Sequence, residues 1–207
     1  MSVLTHFQIF DLLNRPRPLW LVKVDLSDLV LISVDLSHCN LSFANLSRSD
    51  LNWADFSFSN LTKANLSLAN LFEANLSEAN LEGANLTHTN LTRTYLAKAN
   101  LKEANLIEAN VSRAILTKAT LTNANLNLAN LSRTDLSKTD CTNVNFSHAD
   151  LYKANLFEAN LSNANFHEAN LTGADLTAAN LRGADLTGAI LTNADLTDAI
   201  LPDSMIK

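Results

Sequence analysis

Two cysteines, four glycines and three prolines in 207 residues leave little room for several familiar chemistries. Cys39 and Cys141 have neither CxxC nor Cys/His spacing, so no thiol-based metal or redox centre is encoded. Gly83, Gly173, Gly183 and Gly188 stand singly, which excludes a glycine-rich phosphate loop and suits small residues at tight corners. No apolar run approaches the roughly 18 residues of a membrane span. Asp11 and the lack of a basic flank ahead of the first apolar residues argue against a signal peptide, so the expected location is cytoplasmic. Strong charge is also missing: a formal net charge of -6 provides no general affinity for nucleic acid.

What is abundant is leucine, and it recurs at every fifth residue. From Leu21 to Leu201 in steps of five there are 37 positions, of which 32 are Leu and the others Phe56, Val111, Cys141, Phe146 and Phe166, all apolar. Two residues before each stands a small side chain, usually Ala, and one before it Asn or Asp. Ser or Thr most often follows, and the fifth position is variable and frequently charged, as in Ala-Asn-Leu-Ser-Glu at 74–78. Five helical steps of about 100° scatter the leucines around the axis. An odd period sends them to alternate faces of a strand. Only a backbone turning by roughly 90° once per pentapeptide gives every Leu the same environment. It closes after four repeats and stacks its coils about 4.8 Å apart.

This tandem A(D/N)LXX pattern resembles the pentapeptide-repeat proteins over about residues 22–203. Its regular Ala-Asn-Leu runs and Ile-Leu-Pro-Asp ending are similar to the cyanobacterial-type members. The resemblance implies an all-β fold, a right-handed quadrilateral β-helix of about nine coils, with Leu and the preceding Ala inward and the other three positions outward. The expected organisation is an N-terminal helical cap and Pro-containing linker at 1–20, the β-helix at 21–203 and a tail at 204–207. Helical spacing of Val3, Leu4, Phe7, Phe10 and Leu13, with Ser2 ahead and Pro16 and Pro18 behind, predicts the cap; a docked partner helix is the alternative. Too few residues follow Leu201 for a helix, so the C-terminal edge is either covered by the tail or used in homodimer formation.

Each buried Leu is worth about 1.5 to 3 kcal/mol, against the entropy of fixing the chain. The interior is narrow, so Leu29, Val34 and Val144 at the Ala position are mild departures. Thr89, Thr94, Thr134 and Thr139 at that position must find hydrogen-bond partners. Cys39 and Cys141 fall on one face about 24 Å apart at about 4.8 Å per coil, beyond disulfide reach, and are expected as buried free thiols.

A rod filled by its own leucines leaves no pocket where unlike groups converge, so neither enzyme activity nor a cofactor is expected. Among His6, His38, His88, His148 and His167, only His148 and His167 become neighbours, a surface pair without a third metal ligand. Stacking residues twenty apart does bring out one constellation. Arg93, Arg113, Arg133 and Lys153 form an outward column, Lys98, Lys118 and Lys138 a second, and between them Tyr95 and Ile115 replace the usual Asn or Asp, followed by Asp135. The ends are neutralised by Glu73, Glu78 and Glu158. Like charges at this spacing repel by only about 0.9 kcal/mol in water, so the ladder is tolerable. It is a candidate partner-binding patch for an anionic surface, with surface decoration as the plain alternative.

Phe43, Trp53 and Phe58, with Phe72 and Ile32 nearby, form a candidate aromatic patch that serves either a partner or the N-terminal segment. Asp175, Asp185, Asp195, Asp198 and Asp203 make the far end acidic. The pattern points to a non-enzymatic scaffold or protein-interaction module with a protein partner rather than nucleic acid. The alternative is a DNA mimic binding a type II topoisomerase, as in the quinolone-resistance members. Against it stand Leu rather than Phe at the central position, modest charge, the basic patch and the lack of a terminal helix.

Overall fold

Each pentapeptide brings five backbone N–H groups to a core filled by its own apolar side chains, and a repeat with Asn or Asp before the central residue can supply an acceptor for each. The structure is a computed structural model that describes Ile9, Asp11, residues 14–16 and residues 18–203. In the repeat around Leu76, Leu76 N–H donates to the Tyr95 carbonyl at 2.7 Å and Glu78 N–H to the Ala97 carbonyl at 3.0 Å, both one coil ahead. Asn75 N–H reaches back one coil to the Ala54 carbonyl at 2.9 Å, and Ala79 N–H closes a turn on the Leu76 carbonyl at 3.1 Å. The fifth, Ser77 N–H, is accepted by the Asn75 side chain at 3.1 Å. That last bond is why Asn or Asp precedes the central Leu: it is the one acceptor that the backbone does not provide.

Parallel bridges link residues twenty apart, from Trp20 with Asn40 through to Asn180 with Ile200, so four pentapeptides make one turn of a β-helix. Asn carboxamides stack along the same faces. Asn65 Nδ2 donates to Asn45 Oδ1 and Asn85 Nδ2 to Asn65 Oδ1, both at 3.1 Å.

The corners require an unusual backbone. Every variable position from Lys23 to Asp198 has φ between 53° and 72°, the left-handed region that the third residue of a type II turn needs. Only four of these positions are glycine; the other 32 carry side chains, and none is Val, Ile or Thr. Branching at Cβ is what this region tolerates least.

The core matches the pattern. The central residues from Leu21 to Leu181 are buried, and so is the small residue before nearly all of them. Phe146 and Phe166, one coil apart, stack at 5.0 Å with their planes 12° apart. The inward threonines find their partners: Thr89, Thr94 and Thr134 donate to the carbonyls of Leu66, Leu71 and Val111, each at 2.8 Å, and Thr139 to that of Leu136 at 2.6 Å. Ser49 does likewise to Leu26 at 2.6 Å, whereas the buried Ser59 hydroxyl has no partner among the described residues. Val144 is fully buried; Leu29 and Val34 sit half-buried in the first coil. Both thiols are free and buried, and burial pushes that of Cys141 up to about 12.

At the N-terminal end Ile9 and Asp11 have helical backbone, Ile9 packs against the core, and Arg15 pairs with Asp11 at 2.7 Å. The other residues of the expected cap, Ser2, Val3, Leu4, Phe7, Phe10 and Leu13, lie outside those described, as does the tail at 204–207. Towards the C-terminal end burial declines, and Leu186, Leu191, Leu196 and Leu201 are half-buried. Among the described residues no helix is long and apolar enough to cross a membrane.

Candidate functional site

Twenty-residue stacking fixes which outward side chains meet. Arg93, Arg113, Arg133 and Lys153 occupy one corner column, and Lys98, Lys118 and Lys138 the next, all in the positive-φ position. Tyr95 and Ile115 lie between them, bridged to each other, with 48% and 36% of their surface exposed. The ends are paired as expected: Arg93 with Glu73 at 3.0 Å, Lys98 with Glu78 at 2.9 Å and Lys138 with Glu158 at 3.5 Å. Lys138 lies 5.8 Å from the Phe157 ring centre and Lys153 5.3 Å from that of Tyr152. Arg113, Lys118 and Arg133, in the middle, have no ion pair among the described residues. Exposed pairs of this kind contribute up to about 1 kcal/mol, so the ladder is not a stability device.

The aromatic residues divide. Phe43 is ten residues from Trp53, half a coil and therefore the opposite side, and its ring has Lys23 and Lys63 each at 5.9 Å. Trp53 meets Phe72 edge-on at 6.1 Å, and Phe58 stacks on His38 at 4.9 Å. Trp53 also connects to the basic column, because its indole N–H donates to Glu73 at 3.1 Å and Glu73 holds Arg93. Those two bonds, Arg93 first and Trp53 second, keep the Glu73 carboxyl below its ordinary value.

His148 and His167 do meet, at 5.8 Å, with Glu168 within 3.2 Å of His148 and 3.6 Å of His167. Among the described residues no cluster of His, Cys, Asp and Glu is placed to hold a metal ion.

One property of the basic face escaped the sequence reading. Because Tyr95 and Ile115 stand where Asn or Asp supplies an acceptor, the N–H groups of Ala97 and Thr117 have no acceptor among the described residues. The substitution pattern was visible, but its meaning depended on knowing what the Asn does.

Stacked five-residue turns with an inward Leu define a pentapeptide-repeat solenoid. The description "Pentapeptide repeats" matches at residues 21–52, 49–87, 84–123, 124–163 and 164–203, and the chain belongs to that family, whose fold is a right-handed β-helix. It is similar to HetL, a pentapeptide repeat protein involved in heterocyst differentiation regulation from the cyanobacterium Nostoc sp. strain PCC 7120, at 34% identity over 97% of this chain and 98% of that one, with a TM-score of 0.37. Trypsin-treated QnrB1, a plasmid-mediated fluoroquinolone resistance protein, shares the fold at 17% identity over 86% of this chain and 92% of that one, with a TM-score of 0.51. No curated protein sequence matches the chain.

Proposed function

We propose that the chain is a non-enzymatic interaction module whose protein partner docks on the basic face. The observation that carries this is the stack of Arg113, Lys118 and Arg133, none ion-paired among the described residues, beside the exposed Tyr95 and Ile115. Charge without an ion pair around an apolar centre suits an interface with a polar rim, and the ladder does little for the fold. Trp53, Phe58 and, on the opposite side, Phe43 are secondary contact points. The module works without a cofactor, and its location is cytoplasmic.

The same reading assigns residues 1–20 to a helical cap on a β-helix of about nine coils, supported by Ile9 in the core. It assigns the C-terminal edge to homodimer formation, supported by the half-buried Leu186, Leu191, Leu196 and Leu201. Sedimentation that shows only monomer at high concentration would remove that assignment.

The test of the docking face is an affinity pull-down from host lysate. Wild type is compared with a variant carrying Glu at Arg93, Lys98, Arg113, Lys118, Arg133, Lys138 and Lys153, after circular dichroism shows both folded. A partner retained by wild type and lost by the variant supports the reading; identical partner lists overturn it. A DNA mimic, by contrast, would inhibit supercoiling by a type II topoisomerase, and the basic face is the wrong sign for that role.

A further inference from the structure

Tyr95 and Ile115 do more than present apolar surface. In the repeats around them the N–H two residues on points outward to an Asn or Asp oxygen, as Ser77 does to Asn75 at 3.1 Å and Ser137 to Asp135 at 3.0 Å. With those oxygens absent, Ala97 and Thr117 offer two backbone donors on successive coils, about 4.8 Å apart, between an arginine and a lysine column. Val22, Ile32, Phe72, Thr122 and Thr192 also lack an acceptor for this N–H among the described residues, but none of them lies on the basic face or is stacked on another such group.

Resting on the docking role above, we propose that the basic face binds a short acidic peptide segment of a protein partner. Its carboxylates take the Ala97 and Thr117 N–H groups and the Arg113 guanidinium, and a neighbouring apolar side chain covers Tyr95 and Ile115.

Three observations select this occupant. An N–H without an acceptor in its own chain is left to water, and beside a guanidinium a carboxylate is the acceptor that gains most by replacing that water. The doubly basic rungs run only from Arg93 with Lys98 to Arg133 with Lys138, about 10 Å along the axis. Glu73 and Glu78 pair with one end and Glu158 with the other, so a nucleic-acid backbone continuing past the patch finds no further net positive charge at either. Finally, the exposed Tyr95 and Ile115 form an apolar centre between the basic columns, which a Phe or Leu between two acids matches.

The probes are fluorescein-labelled Glu-Glu-Phe-Glu-Glu, its Gln-Gln-Phe-Gln-Gln counterpart and a single-stranded thymidine oligomer, titrated in fluorescence anisotropy at low salt. The decisive variant is the pair Tyr95→Asn and Ile115→Asn. It restores the repeat's own acceptor, so it keeps the fold, and it leaves every positive charge in place. Wild type should bind the acidic peptide, and the Asn pair should weaken it about tenfold or more. Arg113→Glu with Arg133→Glu should weaken it at least as much. An Asn pair that binds like wild type, beside an Arg-to-Glu pair that does not, overturns the donor assignment and leaves the basic docking face standing. Indifference to both changes overturns the two together. Equal binding of the Gln peptide, or tighter binding of the oligomer, overturns the acidic-peptide assignment.

Discussion

Two opposite faces of the same coils show what the repeat needs and what it leaves over. On one, from Asp25 through Asn45, Asn105 and Asn165 to Asp185, every rung accepts its own outward N–H, as Asn105 does from Ile107 at 3.2 Å and Asn165 from His167 at 2.9 Å. On the other, from Asp35 to Asp195, seven rungs do so and the two at Tyr95 and Ile115 do not. The leucines beneath both are equally buried. The first face accepts all of its own outward donors; the second leaves two of them, at Ala97 and Thr117, without an acceptor among the described residues.

The largest effect that tests this comparison lies in the core. Leu106→Ala, under the continuous face, and Leu116→Ala, under the interrupted one, should each cost about 3 kcal/mol in urea unfolding. A much smaller cost for Leu116→Ala would mean that the gap has loosened the interior and is not a surface matter. Away from both faces, Ser59→Ala removes a buried hydroxyl without a partner and should raise stability by about 1.5 kcal/mol in the same assay. Asn105→Ala should lose about 1 kcal/mol by orphaning Ile107 N–H, whereas Ile115→Asn should gain about as much, an exchange of opposite sign between the faces.

The smallest effect is acid sensitivity. Asp185 and Asp195, which end the two faces, are held below the ordinary carboxylate value, first by the Thr187 and Thr197 side chains and then by those residues' N–H groups. A carboxyl lowered in the folded state adds stability that is complete above its unfolded value, near 3.9, and is lost as pH falls through the lower folded value. The melting temperature should therefore hold from pH 7 to 5 and decline below about pH 4. Asp195→Asn with Asp185→Asn should reduce that decline.

Much of this architecture could be read from spacing alone. A five-residue period with an inward Leu leaves a single path for the backbone, and stacking by twenty then placed Glu73 under Arg93 and Glu158 beside Lys138. The need of Thr89, Thr94 and Thr134 for carbonyl partners followed from burial. Four features were harder to see. Ten residues of separation puts Phe43 and Trp53 on opposite sides, which their closeness in sequence conceals. The role of Asn depends on a bond to the residue two further on, which composition does not reveal. The left-handed corner did leave a trace, the absence of Val, Ile and Thr from a position that otherwise accepts small, charged, polar and aromatic residues alike. Half-burial from Leu186 onward reflects position in the stack, since the repeat itself is unchanged there.

A closed circuit of four pentapeptides also makes the chain count its own insertions and deletions. Loss of residues 99–103 keeps every later Leu facing inward, yet turns all that follows by one face, setting Arg113 over His88 and Lys118 over Arg93. Gain or loss of twenty residues returns each column to its place. Genes of this kind can change length in steps of five without losing the fold. Length differences that are multiples of twenty conserve a surface, and any other multiple of five redraws it in a single event.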